Sequence, residues 1–197
     1  MLFRSVRRIR IRAGAGSVEL AVVEGNEVRA RLEDADDFDD EGVHDRAAIV
    51  AERHGDELDL RLREPRWTFR RLHVNRDDWA RFEVPPGIEL DVDLRVGELT
   101  ATGVSGPAKF AVGIGDLDVT CASGGVSRLD GHVWIGDATI DARGDSHEFS
   151  GINASPFHWE VGKAGETVST RVGIGDLNVR IAAPEAKGAG RYSTLPK

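Results

Sequence analysis

Apolar and polar residues alternate along most of this 197-residue chain, and between residues 97 and 181 the alternation is written in a recurring phrase. Four copies align without gaps: Gly97-Glu98-Leu99-Thr100-Ala101, Gly115-Asp116-Leu117-Asp118-Val119, Gly136-Asp137-Ala138-Thr139-Ile140 and Gly175-Asp176-Leu177-Asn178-Val179. Stacked, they give one apolar column of Leu99, Leu117, Ala138 and Leu177, a second of Ala101, Val119, Ile140 and Val179, and a third of Gly103, Cys121, Ala142 and Ile181. Polar residues such as Thr100, Asp118, Thr139 and Asn178 lie between. A half-buried strand requires this period of two, because its successive side chains point to opposite faces. A helix at 3.6 residues per turn would scatter the columns.

The phrase glycines are 18, 21 and 39 residues apart. The last interval is close to two periods, so a degenerate copy is expected near Gly151-Ile152-Asn153-Ala154, and Gly16-Ser17-Val18-Glu19-Leu20 reads as an N-terminal echo. A repeat of this length is the mark of a solenoid whose rungs bury their apolar faces against one another. The expected fold is all-β, a β-solenoid with rungs of about 20 residues. Glycine would supply backbone freedom at each corner, and the acid after it would serve the turn.

Upstream the strands are less regular. Ile9, Ile11 and Ala13 alternate with Arg8, Arg10 and Arg12, while Ile49 to Arg53 and Glu57 to Arg63 flank the hairpin turn His54-Gly55-Asp56. Phe82-Glu83-Val84-Pro85-Pro86-Gly87-Ile88-Glu89-Leu90 reads as strand, rigid turn and strand. Asp45 to Glu52 is the one stretch compatible with a short helix. A single domain over residues 1–181 follows, with irregular rungs and hairpins over 1–90, regular repeats over 91–181 and a tail over 182–197.

Composition narrows the function more than the fold. The net charge of -8 comes from Glu33 to Asp45, which holds eight acids and no Lys or Arg; removing those eight from 34 acidic residues leaves 26, matching the 26 Lys and Arg. A balanced surface with one acidic loop does not suit nucleic acid, whose affinity comes mainly from clustered cations on phosphate. Cys121 is the single cysteine, which excludes an intrachain disulfide. The charged start Met1-Leu2-Phe3-Arg4-Ser5-Val6-Arg7-Arg8 has no apolar run behind it of signal-peptide or membrane-spanning length. The expectation is a cytoplasmic, soluble chain without membrane insertion, linked to the envelope at most through a partner.

The phrases Gly16-Ser17-Val18-Glu19-Leu20, Val84-Pro85-Pro86-Gly87 and Val104-Ser105-Gly106, with the serial Gly-Asp-Leu-x-Val copies, resemble the bacterial "putative adhesin" β-strand-repeat domain of unknown function, in the toast-rack-like group. The resemblance spans roughly residues 5–181 and rests on the order and number of the phrases. It implies a single-stranded right-handed β-helix without recognised catalytic residues. Relatives are often attached to membrane segments and linked to bacterial envelope stress or surfaces; this chain is expected to depart from them in lacking an anchor.

Candidate sites each meet a plainer reading. Asp37, Asp39, Glu41, Gly42 and Asp45 match positions 1, 3, 5, 6 and 9 of an EF-hand-like loop, but Ala48 occupies position 12, where a bidentate Glu is required. A solvated acidic loop, which can also pair with Arg7 to Arg12, is therefore preferred to a metal site. The corner acids Glu98, Asp116, Asp137 and Asp176 recur at every copy, which turn chemistry explains and a catalytic pair does not. The six histidines lack metal-ligand spacing, and Gly113-Ile114-Gly115 and Gly173-Ile174-Gly175 lack the third glycine and following helix of a nucleotide loop. Cys121 falls in an apolar column and is expected to be core. No catalytic residue, metal or cofactor is expected.

Trp67, Phe69, Trp79 and Phe82 interleave with Arg61, Arg63, Arg66, Arg70, Arg71, Arg76 and Arg81, as in a stacking platform or as a cap on the end of a solenoid. The candidate partner-binding residues are therefore Trp67, Arg70, Arg71 and Trp79, with Asp37, Asp39 and Asp40 of the acidic loop. The expected function is a non-enzymatic scaffold that meets a protein partner, or itself through solenoid ends. The alternatives are a carbohydrate-binding, adhesin-like module using exposed Trp and Asp, and more remotely a polysaccharide-cleaving β-helix enzyme, which rests on fold analogy.

Overall fold

The computed structural model describes residues 6–33, 48–63, 79–142, 145–152, 156–162 and 164–182. Thirteen strands appear among them. They are β1 (Arg8–Val22), β2 (Arg29–Glu33), β3 (Ala48–His54), β4 (Glu57–Arg63), β5 (Trp79–Val84), β6 (Glu89–Val104), β7 (Ala108–Ile114), β8 (Leu117–Cys121), β9 (Val126–Ala142), β10 (Asp145–Ile152), β11 (Phe157–Glu160), β12 (Glu166–Ile174) and β13 (Leu177–Ile181). The alternation that predicts strands is met by alternating burial: in β6, Leu90, Val92, Leu94, Leu99, Ala101 and Val104 are buried and the residues between them are not.

Hydrogen-bonded neighbours run β6, β7, β12, β9, β13, β8 and back to β6, all parallel. Six strands thus close into a parallel barrel. The long strands β6 and β9 each give one arm to the side holding β7 and β12, and the other arm to the side holding β8 and β13. Outside the ring, β1 lies along β6, β4 and β5 pair with β1, β2 with β5, β3 with β4, and β10 and β11 with β9.

This overturns the single-stranded right-handed β-helix, the β-solenoid expected from the period. The hydrogen-bond path closes, and the copies do not stack in sequence order: Leu117 pairs with Leu177, and Leu177 with Ala138. The fourth phrase in sequence is thus inserted between the second and third. Periodicity specifies which residue occupies a corner, but not which corner lies beside it. Among the described residues the 39-residue interval holds no degenerate rung; its Gly151 lies in β10, antiparallel to β9 and opposite Gly136. Residues 48–52 are strand in place of the short helix expected from 45 to 52, of which 45–47 lie outside the described residues.

Other expectations are met. Gly16 pairs with Gly97, β3 and β4 form the hairpin about Gly55, and Pro85-Pro86-Gly87 turns the chain from β5 into β6. The first two apolar columns stand, reordered as Leu99, Leu117, Leu177, Ala138 and Ala101, Val119, Val179, Ile140. In the third, Val104 replaces Gly103 opposite Cys121, because the register shifts between Thr102 and Val104.

At each corner the alternation slips. The buried pairs Ala13 and Val18, Leu94 and Leu99, Val112 and Leu117, Val133 and Ala138, and Val172 and Leu177 are five residues apart, an odd interval that no straight strand allows for one face. The corner glycines make the slip possible. They have φ of 114° at Gly16, 134° at Gly97, 127° at Gly115, 135° at Gly175 and 136° at Gly136. They also stack so closely that a Cβ on Gly97, Gly115, Gly175 or Gly136 would overlap the carbonyl oxygen of the preceding glycine in that order.

Replacing Gly115 with Ala therefore meets both a positive φ and a neighbouring backbone, and is expected to cost about 2–4 kcal/mol. Gly124→Ala has a positive φ but open space around it, and should cost about 1 kcal/mol. Urea denaturation of the two variants checks this; equal losses would refute the stacking argument.

Candidate functional site

The slip at each corner has a chemical result. Counting inward positions along β6 gives 90, 92, 94 and then 96, so Val96 continues the core phase. The corner instead turns it outward. The same happens at Ile114, Ile135 and Ile174. Cross-strand register aligns these residues: Ala15 with Val96, Val96 with Ile114, Ile114 with Ile174, Ile174 with Ile135, and Ile135 with Ile152 of β10. Exposure is 44% for Val96, 51% for Ile114, 47% for Ile174, 38% for Ile135 and 83% for Ile152. An apolar ridge one side chain wide thus crosses six strands.

Sequence reasoning missed this ridge because each residue obeys the alternation that marks a core position. The signal was available: a β-branched aliphatic residue precedes the glycine of all four phrases.

Carboxylates run beside the ridge. Glu98, Asp116, Asp176 and Asp137 follow the corner glycines in the same strand order, and all are exposed. Asp116 Oδ1 accepts a hydrogen bond from the Asp176 amide at 3.1 Å, and Asp176 Oδ1 accepts one from the Asp137 amide at 3.2 Å. Two of the four corner acids, Asp116 and Asp176, thus accept from the backbone of the neighbouring corner, between strands and not within a local turn. Among the described residues none of the four forms an ion pair. On the other flank lie Arg95, Gly113, Gly173 and Trp134; the glycines lack side chains there, and Trp134 is 54% exposed.

The sites expected from sequence are placed as follows. Trp67, Arg70, Arg71, Asp37, Asp39 and Asp40 lie outside the described residues, and so does the acidic loop but for Glu33. Trp79 opens β5, where its backbone is opposite Ser17 and Glu33. Two arginines of β1 form ion pairs among the described residues: Arg8 meets Glu89 at 2.8 Å, and Arg10 meets Glu57 at 2.9 Å and Asp91 at 3.3 Å. No group of three or more His, Cys, Asp or Glu among the described residues could hold a metal ion.

Cys121 is fully buried, and burial pushes its thiol up to about 12. It is therefore protonated near neutral pH, and the thiolate is the reactive form. A thiol reagent is expected to leave native Cys121 unmodified over the time in which it labels the chain fully in denaturant; mass spectrometry of the two samples decides.

Asp130 of β9 accepts from His158 Nδ1 at 2.7 Å and from Arg128 Nε at 2.8 Å. Burial raises its carboxyl, but the hydrogen bonds and charges of His158 and Arg128 together outweigh burial and hold it below the usual carboxylate range. A depressed carboxyl stabilises the fold above the unfolded-state value and loses that contribution as pH falls through the folded-state value. Asp130→Asn should thus destabilise the protein near pH 7, by about 1 kcal/mol or less at this solvated site, and match the native chain near pH 2. Thermal melts at the two pH values test the convergence.

The geometry defines an all-β, closed parallel barrel carrying an exposed apolar ridge with a carboxylate row beside it. Among solved structures, the chain is similar to one described as a putative cell adhesion protein from Clostridium sporogenes, 14% identical, with a TM-score of 0.52 over 92% of this chain and 97% of that one. At this identity the likeness carries the architecture alone. No family model and no curated protein matches the chain. Among the described residues no helix is long and apolar enough to cross a membrane.

Proposed function

We propose that this chain is a non-enzymatic protein-interaction module that presents its corner ridge to another protein. The observation that carries the reading is the row of five exposed aliphatic side chains, in register, on strands whose other apolar residues are mostly buried. A contiguous exposed apolar patch on a folded domain marks an interaction surface, and an exposed Trp beside it is the residue type that anchors interfaces. Enzymatic use has less support among the described residues. Cys121 is buried, Asp116 and Asp176 cap backbone amides, and His158 hydrogen-bonds only Asp130 and Arg128.

Kinship with the "putative adhesin" repeat domains belongs to the same proposal. The description of the Clostridium sporogenes neighbour as a cell adhesion protein supports it. Glycan binding is the second reading, favoured by exposed Trp134 beside His132, with ring centroids 5.8 Å apart. Self-association by strand pairing would use the outer strands β2, β3, β10 and β11, since a closed barrel offers no solenoid ends.

Photo-cross-linking in the native host tests the choice. A benzophenone side chain at position 114 should give a discrete adduct with another protein that is lost on Ile174→Lys, whereas one at exposed Asn178 should not. Equal adducts at both positions, or none at 114, would refute the reading. Glycan-array binding abolished by Trp134→Ala but not by Ile174→Lys would favour the second.

A further inference from the structure

We propose that the ridge seats an amphipathic α-helix whose apolar stripe is flanked by Lys or Arg. This rests on the protein-interaction reading and names the partner's chemistry.

Three features select the occupant. First, every strand beneath the four central ridge residues, Val96, Ile114, Ile174 and Ile135, already has hydrogen-bonded neighbours on both sides at that position. An added strand has no edge there to pair with, so the partner must offer side chains. Second, the row is regular, each ridge residue standing directly opposite the next across neighbouring strands. Six strands about 4.8 Å apart make it roughly 24 Å long. A helix presents one apolar cluster per turn of about 5.4 Å, and drifts only ~3 Å over that length with about 16 residues. An extended chain crossing the strands presents same-face side chains every ~6.8 Å and drifts by ~10 Å. A helix thus places about one turn on each strand.

Third, charge fixes the flank. Glu98, Asp116, Asp176 and Asp137 lie two residues beyond Val96, Ile114, Ile174 and Ile135, one past each of the same four corner glycines, with Glu98 in β6, Asp137 in β9 and Asp116 and Asp176 in the turns before β8 and β13. The second oxygens of Asp116 and Asp176 are not used in capping the next amide. Cations on a helix three or four residues from its apolar stripe would face this row. The other flank carries no side chain at Gly113 and Gly173, between Arg95 and exposed Trp134.

A second copy of this chain fits less well. Ridge packed on ridge opposes the carboxylate row either to itself or to a flank whose one cation is Arg95. An anionic lipid surface would meet the same four carboxylates.

The test uses a displayed library of amphipathic helices with a fixed Leu/Ile stripe and flanks randomised among Lys, Glu and Ser, selected against the full chain. Flanks on one side should enrich for Lys. A peptide made from the winning sequence should bind in fluorescence anisotropy, gain helicity on binding, and weaken at least tenfold when its Lys are replaced by Glu. Ile114→Lys should abolish binding. The double change Asp116→Asn and Asp176→Asn, which keeps both acceptor oxygens and relieves the repulsion along the row, should weaken the Lys peptide about tenfold with a melting temperature no lower than that of the native chain.

Failure to enrich helices, or enrichment of Glu flanks, would overturn the proposal. So would concentration-dependent dimers or binding to anionic vesicles that Ile114→Lys removes, since these assign the ridge to a second copy or a membrane. A ridge-specific cross-link in cells without helix binding would refute this inference alone; loss of that cross-link would refute the protein-interaction reading itself.

Discussion

The close approach of one corner backbone to the next is the constraint on which the molecule depends. Gly16, Gly97, Gly115, Gly175 and Gly136 stack with no space for a Cβ between the last four and the carbonyl of the preceding member. Their positive φ lets the chain fold over, within one continuous strand at Gly16, Gly97 and Gly136 and between two strands at Gly115 and Gly175. The bend then lets Leu94 and Leu99, an odd interval apart, both enter the core. Two other features follow from the same corner. The residue before the glycine is turned out, and the acid after it is brought beside the next strand's amide.

Much of this is legible in the sequence, for a reason particular residues make clear. Leu99, Leu117, Ala138 and Leu177 can be aligned because a buried column demands apolar side chains at matching positions, whatever the order of stacking. The order is not legible, because a local phrase carries no address. Leu177 sits between Leu117 and Ala138, and Val179 between Val119 and Ile140, yet apolar side chains of these kinds satisfy a column in sequence order too. The interval between Gly136 and Gly175 misleads for a related reason. Its length suits one further rung, but β10 uses it to pair antiparallel with β9.

The candidate site is hidden by the rule that makes the fold readable. Val96 extends the series Leu90, Val92, Leu94, so the alternation assigns it to the core; only the bend at Gly97 exposes it. The same holds for Ile114, Ile135 and Ile174. A strand pattern can be read residue by residue, but a corner changes the phase, and phase is a property of the backbone path. The Trp67, Arg70 and Arg71 segment and the acidic loop stand out in the sequence because their composition is unusual. The ridge has an ordinary composition and an unusual position.

The carboxylate row separates what the corner needs from what it carries. A cap on the next strand's amide needs an acceptor oxygen, as Asp116 and Asp176 supply. Asn supplies one as well, without charge. Unit charges on neighbouring strands, about 5 Å apart, repel by roughly 0.8 kcal/mol per pair even in water. Along β1 the chain sets acids against cations across strands, at Arg8 with Glu89 and Arg10 with Glu57 and Asp91. Along the corner it sets acid beside acid. The turn accounts for the acceptors and leaves the charge unexplained, and a cationic flank on the proposed partner is the element that would give that charge a use.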